Sequence, residues 1–361
     1  MITKFWLKYF RNITEITVDL KANKHCYIFG DNNQGKTSIL EAIFVASKQK
    51  TLGDNQVSEL IQYSKEGAYI GLQIEKETKQ RLYVKCDLTG KVVSTLDSKK
   101  ESKKQAQQRN IEYISADALH IFQKEPLYRR KILDQFSCKV VPSYEEKLRT
   151  YEKLLRQKNK YLKEANIDEK FIATLNTQLA NLAKDITASR IEVLSLIEKE
   201  LNKKTVLKDK LAVDNICIEY KIKRICVDDM SSYKEALLAM MEEDKHKERI
   251  LGYSLSGPQR DDFEIKLGDK SIFSYFSRGI NRCYAILFKL AQIQILSQKE
   301  TSTCLLLDDT FAEIDQRNKK YLLEDISNKY QVFYATTSTN DFDFFNETCL
   351  INVNKGKVEY V

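Results

Sequence analysis

Apolar and polar positions along the chain follow three spacings. Residues 2–8 (ITKFWLK), 16–20 (ITVDL) and 24–29 read as strands, with Tyr9-Phe10-Arg11-Asn12-Ile13 turning between the first two. Segments 69–75 and 81–87 alternate in the manner of antiparallel strands, and Gly90 marks a turn. Residues 111–115 predict another strand, and Pro126 sits near the first turn of a helix. From Pro142 the texture becomes helical. Leu148, Tyr151, Leu155 and Leu162 lie near heptad spacing, and Ile172, Leu175, Leu179, Leu182 and Ile186 repeat at intervals of three and four. Val193, Ile197 and Leu201 extend that seam, so two helices joined at 166–169 are expected to fold back as an antiparallel hairpin. The longer arm would span ~50 Å at ~1.5 Å per residue.

Residues 213–227 predict extended chain, and Ser232 with Glu235 a capping box opening a helix to about Arg249. Compact patterning resumes at 255–262, followed by a strand at 263–267 and an apolar helix at 283–296. Continuous apolar runs at 303–307 and 331–335 read as buried strands, and 349–353 and 357–361 as a closing pair. The texture divides the chain into 1–138, a helical insertion at 139–251, and 252–361. The fold class is α/β.

With 361 residues, 42% of them hydrophobic, the chain can bury a sizeable core. Eight cysteines show no CxxC pairing and the three histidines are isolated, which argues against zinc sites and disulfide frameworks. Residues 1–10 lack the apolar core of a secretion signal, and no run approaches a membrane span. A soluble, cytoplasmic protein without a membrane partner is expected. The net charge of +8 is a mild excess, compatible with a polyanionic partner.

Chemistry concentrates at Gly30-Asp31-Asn32-Asn33-Gln34-Gly35-Lys36-Thr37, a full G-x-x-x-x-G-K-[ST] match between a strand and a helix. Backbone amides and a helix N-terminus there suit triphosphate oxygens. Lys36 would reach the β/γ-phosphates, and Thr37 would ligate Mg²⁺ through its hydroxyl. Asn33 stands where such loops often carry glycine, and asparagine tolerates positive φ next best. Asp308 and Asp309 end an apolar strand, where α/β sheets place ligand chemistry. Asp308 would join the Mg²⁺ shell, and Asp309 would orient or deprotonate an attacking water. Ser277 and Gly279 open a helix as a second anion site, which suggests that two chains close around each nucleotide. Arg11 reads either as a solvated turn residue or as a second cation near the phosphates. The lysine run at 97–104 reads as a solvated loop or as a phosphate-backbone contact, and Arg129-Arg130 as surface charge or a polar contact between lobes.

The motif order resembles the ATPase head shared by ABC and SMC proteins: phosphate loop, helical insertion, Ser277-Arg278-Gly279, Asp308-Asp309, Glu313-Ile314-Asp315 and a Thr-ended strand. Within that class it resembles the RecF family of bacterial recombination and repair proteins along essentially its whole length. The marks are Phe10-Arg11-Asn12-Ile13, Pro126 with Arg129-Arg130, and Gly257-Pro258 with Arg260-Asp261-Asp262. That resemblance implies an ATP- and Mg²⁺-dependent homodimer on double-stranded, gapped or junction DNA, with slow hydrolysis, acting with RecO and RecR in repair and replication restart. It assigns 30–37 to ATP, Ser277 to the γ-phosphate held by the opposite protomer, and Asp308 and Asp309 to Mg²⁺ and water. Three positions depart from the family pattern: Ile280 replaces a glutamine, Gln259 a histidine, and Glu112 stands near a magnesium-sensing glutamine. Two competing readings are a non-hydrolysing ATP- and DNA-binding scaffold, suggested by Ile280, and an ABC transporter ATPase subunit. The helical hairpin and the absence of a histidine after 331–336 count against the transporter.

Overall fold

The computed structural model describes residues 1–21, 23–53, 55–75, 78–122, 125–164, 166, 168–203, 215–225, 229–297, 303–338 and 347–361. Contacts group them into two units, one of 1–119 with 297–361 and one of 120–296.

Alternation builds the first sheet of the first unit. β1 (Ile2–Phe10), β2 (Ile13–Asp19), β4 (Gly67–Glu75), β5 (Lys79–Asp87), β6 (Val92–Leu96) and β7 (Lys99–Lys100) pair antiparallel in the order β2-β1-β4-β5-β6-β7. One face buries Phe5, Leu7, Val18, Ile70, Leu72 and Leu82. The continuous apolar runs make the second sheet, ordered β15-β14-β3-β13-β12-β8. In it β3 (His25–Phe29), β8 (Ile111–Ser115), β12 (Cys304–Asp308), β13 (Gln331–Thr336) and β14 (Thr348–Asn354) run parallel. β15 (Lys357–Tyr360) closes that edge antiparallel. Helix α1 (Lys36–Lys48) puts Ile39, Leu40 and Ile43 into one core cluster with both sheets. A parallel sheet buried on its faces explains why those strands read as solid apolar runs. The chain leaves this unit after β8 and re-enters at β12, which are neighbouring strands.

The second unit is mainly helical. After α2 (Lys103–Gln107) of the first unit come α3 (Pro126–Val140), α4 (Tyr144–Tyr161) and α5 (Glu169–Asn202). α5 has 34 residues, ~51 Å of helix, and Asp168 caps it by accepting the amides of Lys170 and Phe171. Its seam buries Leu175, Leu179, Ile186, Val193, Ile197 and Leu201. Ile167 of the predicted turn lies outside the described residues.

Two local expectations change. The single helix predicted from Ser232 is two, Tyr233–Glu243 and Lys245–Leu251, broken at Asp244. The capping box does not form, because the Ser232 hydroxyl donates to the Asp229 carbonyl instead (2.9 Å). The extended segment is β9 (Ile216–Lys221), paired antiparallel with β10 (Asp262–Leu267), and β11 (Lys270–Ser271) completes this third sheet. Residues 213–214 and 226–227 lie outside the described residues. The β9–β10 ladder joins chain on either side of 251/252, so packing cuts the chain at different points from its texture.

Buried ion pairs fasten the turn-rich 255–262 segment. Arg190, 3% exposed, donates to both Asp134 oxygens (2.8 and 2.9 Å) and to the Pro258 carbonyl (2.7 Å). Arg129 grips Asp262 through two bonds (2.8 and 2.5 Å), and Arg130 donates to the Asp261 carbonyl (2.6 Å). The paired arginines therefore tie helix α3 to strand β10 inside this unit. Gln259 accepts the Tyr151 hydroxyl, so its departure from the family pattern is also anchored. Among the described residues no helix is long and apolar enough to cross a membrane.

Candidate nucleotide site

Between β3 and α1 the loop backbone takes shapes that most residues avoid. Gly30 has φ 150, and a Cβ there would lie 2.3 Å from the Val353 carbonyl oxygen, so only glycine fits. Asn33 takes φ 62, the left-handed conformation its residue type tolerates. Gln34 docks the loop onto the β14–β15 hairpin: its side-chain oxygen accepts the Lys355 amide (2.6 Å) and its carbonyl the Gly356 amide (2.9 Å). α1 then begins with no side-chain cap, which leaves its positive end for an anion.

Lys36 folds back over this loop, its Nζ donating to the carbonyls of Gly30 and Asp31, both at 2.8 Å. Burial pulls its pKa down, while Asp309, Asp308 and Asp31 push it back up. Thr37 Oγ1 donates to Asp308 Oδ2 at 3.0 Å, with Oδ1 at 3.2 Å. Parallel strands β3, β13 and β12 bring these residues together from 271 positions apart. Threonine hydroxyl and carboxylate are hard oxygen donors, a set suited to magnesium. Asp309, with φ 44, donates its amide to Ala335 (2.9 Å) at the end of β13.

Two residues that sequence reading passed over complete the constellation. Tyr113 on β8 donates its hydroxyl to Asp308 Oδ2 (2.8 Å). Burial raises the Asp308 pKa, against the lowering effect of the Tyr113 and Thr37 bonds. Glu41 on α1, 2% exposed, takes both Arg11 donors, from Nε to Oε2 and from Nη2 to Oε1 at 3.0 Å. Arg11 therefore stands as an ion-pair partner beside the loop, and Asn12 accepts the Ser38 hydroxyl (3.0 Å). A cavity of about 440 Å³ opens here, lined by Arg11, Thr37, Glu41, Tyr113 and Asp117. A tyrosine one position along β8 from Glu112 carries no sequence signal, since its role depends on which strand lies beside it. Ser277 belongs to the other unit and is exposed. There it caps the helix Arg278–Ser297, its carbonyl accepting the Asn281 amide (3.0 Å) and its hydroxyl the Ile280 amide (3.4 Å).

Loop, paired carboxylates and mixed sheet define a phosphate-loop head of the ABC/SMC type, and the family described as RecF/RecN/SMC N terminal domain matches residues 1–359. The chain belongs to the RecF family. It is 30% identical to the DNA replication and repair protein RecF of Halothermothrix orenii, covering 96% of this chain and 93% of that one. To the RecF of Halalkalibacterium halodurans it is also 30% identical, covering 99% of each. A solved structure of the recombination mediator protein RecF-ATP in the RecFOR pathway superposes with TM-score 0.76 at 24% identity, covering 100% of this chain and 97% of that one. An Smc head bound to the C-winged helix domain of ScpA follows at TM-score 0.58 and 14% identity, covering 100% and 96%. These superpositions establish the SMC-like head fold.

Proposed function

We propose that this chain is an ATP-dependent DNA-binding protein of recombinational repair and replication restart. In this reading ATP seats on Gly30 to Thr37, with Thr37 and Asp308 holding magnesium. When bound, magnesium neutralises charge on the β- and γ-phosphate oxygens. Lys36 exchanges its two carbonyl partners for phosphate oxygens, a small movement of a side chain already aimed at the loop. Asp309 orients water. Ser277 contacts the γ-phosphate held by a second copy, so that nucleotide controls dimerisation on gapped or junction DNA, with RecO and RecR as partners.

The observation carrying this reading is the 3.0 Å approach of Thr37 to Asp308 beside the Lys36 loop. Calorimetric titration with ATP and magnesium tests it. The wild-type chain should bind, and Lys36→Met should weaken binding about 10- to 100-fold, the worth of a charged hydrogen-bonding group. Equal affinities would overturn the assignment. Ile280 favours a second reading, a scaffold that binds ATP and DNA without turnover, and phosphate release with and without gapped DNA separates the two.

A further inference from the structure

The outer face of the first sheet has a composition the nucleotide site does not use. Register places one residue from each of its six strands in a single transverse row: Thr17, Trp6, Gly71, Tyr83, Thr95 and Lys100. At its centre a Cβ on Gly71 would lie 1.9 Å from Trp6 Nε1, so glycine is what lets the indole lie down across β4. Tyr83, 41% exposed, sits beside it, with ring centroids 6.1 Å apart. In the next row Lys85 reaches over the Tyr69 ring at 5.8 Å.

Charge on this face is uneven. At the β1–β2 side, Lys4 and Lys8 pair with Asp19 and Glu15 at 3.6 and 3.7 Å. At the β5–β7 side, 79–104 carries eight Lys or Arg against three Asp or Glu. Those acids are engaged locally. Asp87 closes the Thr89–Lys91 turn, Asp97 accepts the Arg81 amide, and Glu101 pairs with Arg109. Among the described residues, Arg81, Lys85 and Lys100 on this face have no carboxylate within ion-pair distance.

We infer that this face is a platform for single-stranded DNA, whose bases stack on Trp6 and Tyr83 while Arg81, Lys85 and Lys100 track the phosphates. The inference deepens the DNA-binding reading above and rests on it. A sheet face carrying the half-buried Trp6 and exposed Tyr83 rings beside unneutralised cations suits unpaired bases. A duplex hides its base faces and needs only cations.

The chain has one tryptophan, so Trp6 reports on its own site. Anisotropy of a labelled 20-nucleotide single strand and of a 20-base-pair duplex, read alongside tryptophan emission, tests the platform. Adding the single strand should quench Trp6 emission in step with binding. Tyr83→Ala should weaken single-strand binding about tenfold or more and leave the duplex unchanged, whereas Tyr83→Phe, which keeps the ring, should bind like wild type. Lys85→Glu/Lys100→Glu should lower the salt slope for the single strand by about 1.4. Single-strand binding without quenching, or unaffected by Tyr83→Ala, would overturn the platform and leave the DNA-binding reading standing. Failure of both probes to bind would overturn that reading and the platform with it.

Discussion

Asp308 sets stability against chemistry. Its carboxyl is half-buried, and burial raises its pKa from the ordinary aspartate value. A group whose folded pKa is raised contributes stability that is present below the unfolded pKa and lost as pH rises through the folded one. At neutral pH the ionised form therefore costs the nucleotide-free fold. Asp308→Asn removes that cost, and the melting temperature at pH 8 without nucleotide should rise by about 1–3 °C, with the gain vanishing near pH 4. The same substitution should abolish magnesium-dependent nucleotide binding. Tyr113 acts on Asp308 from β8, and its hydroxyl favours the ionised carboxylate. In Tyr113→Phe that support is lost and the carboxyl holds its proton to higher pH. Calorimetry on the acid side of neutrality should then show magnesium–ATP affinity failing at higher pH than in wild type. An unshifted profile would mean that Tyr113 only fills space.

Among the elements, α4 and α5 show how far periodicity reaches. Leu175, Leu179, Ile186, Val193, Ile197 and Leu201 were legible as a seam because burying apolar groups leaves a spacing of three and four. Lys158 and Arg190 lie buried in the same helices and left no such trace, since a charged residue announces burial only through a partner distant in sequence. Likewise the phosphate loop and Asp308-Asp309 were readable as local motifs. Glu41, Tyr113 and the β9–β10 pairing were not, being consequences of which strands and helices become neighbours. The ion pair Lys158–Glu248, 2.7 Å apart at 0% and 2% exposure, makes the point measurable. Glu248 also accepts the Ser254 hydroxyl (2.9 Å) and the Leu255 amide (2.7 Å), fixing the start of the 255–262 segment. Lys158→Met strands a buried carboxylate and should cost about 3–5 kcal/mol in urea unfolding. Adding Glu248→Gln keeps an acceptor for both donors without the charge and should restore most of that loss. Additive losses would show that the two residues are not coupled.

At the scale of the whole molecule, the proposed composite site makes dimerisation a readout of one exposed serine. Ser277 caps its helix through backbone and hydroxyl contacts made within five residues, so replacing it leaves the buried side chains further along that helix untouched. Ser277→Arg should therefore lower the melting temperature by only a few degrees, the worth of one helix cap, and retain the ATP affinity of the monomer. It should, however, lose the dimer that the composite-site reading expects of wild type with gapped DNA and a non-hydrolysable nucleotide, as sedimentation would show. Ile280 tests the opposite direction. It occupies the first turn of the same helix, half-buried, where the resemblance leads one to expect glutamine. Restoring one polar contact across a closed interface is worth roughly 1 kcal/mol, about fivefold in the dimerisation constant. Ile280→Gln should tighten nucleotide-dependent dimers by about that factor and raise phosphate release with them. If closure tightens while turnover stays flat, the isoleucine limits assembly alone. If neither changes, the nucleotide is not gripped from this helix and the composite site must be placed elsewhere.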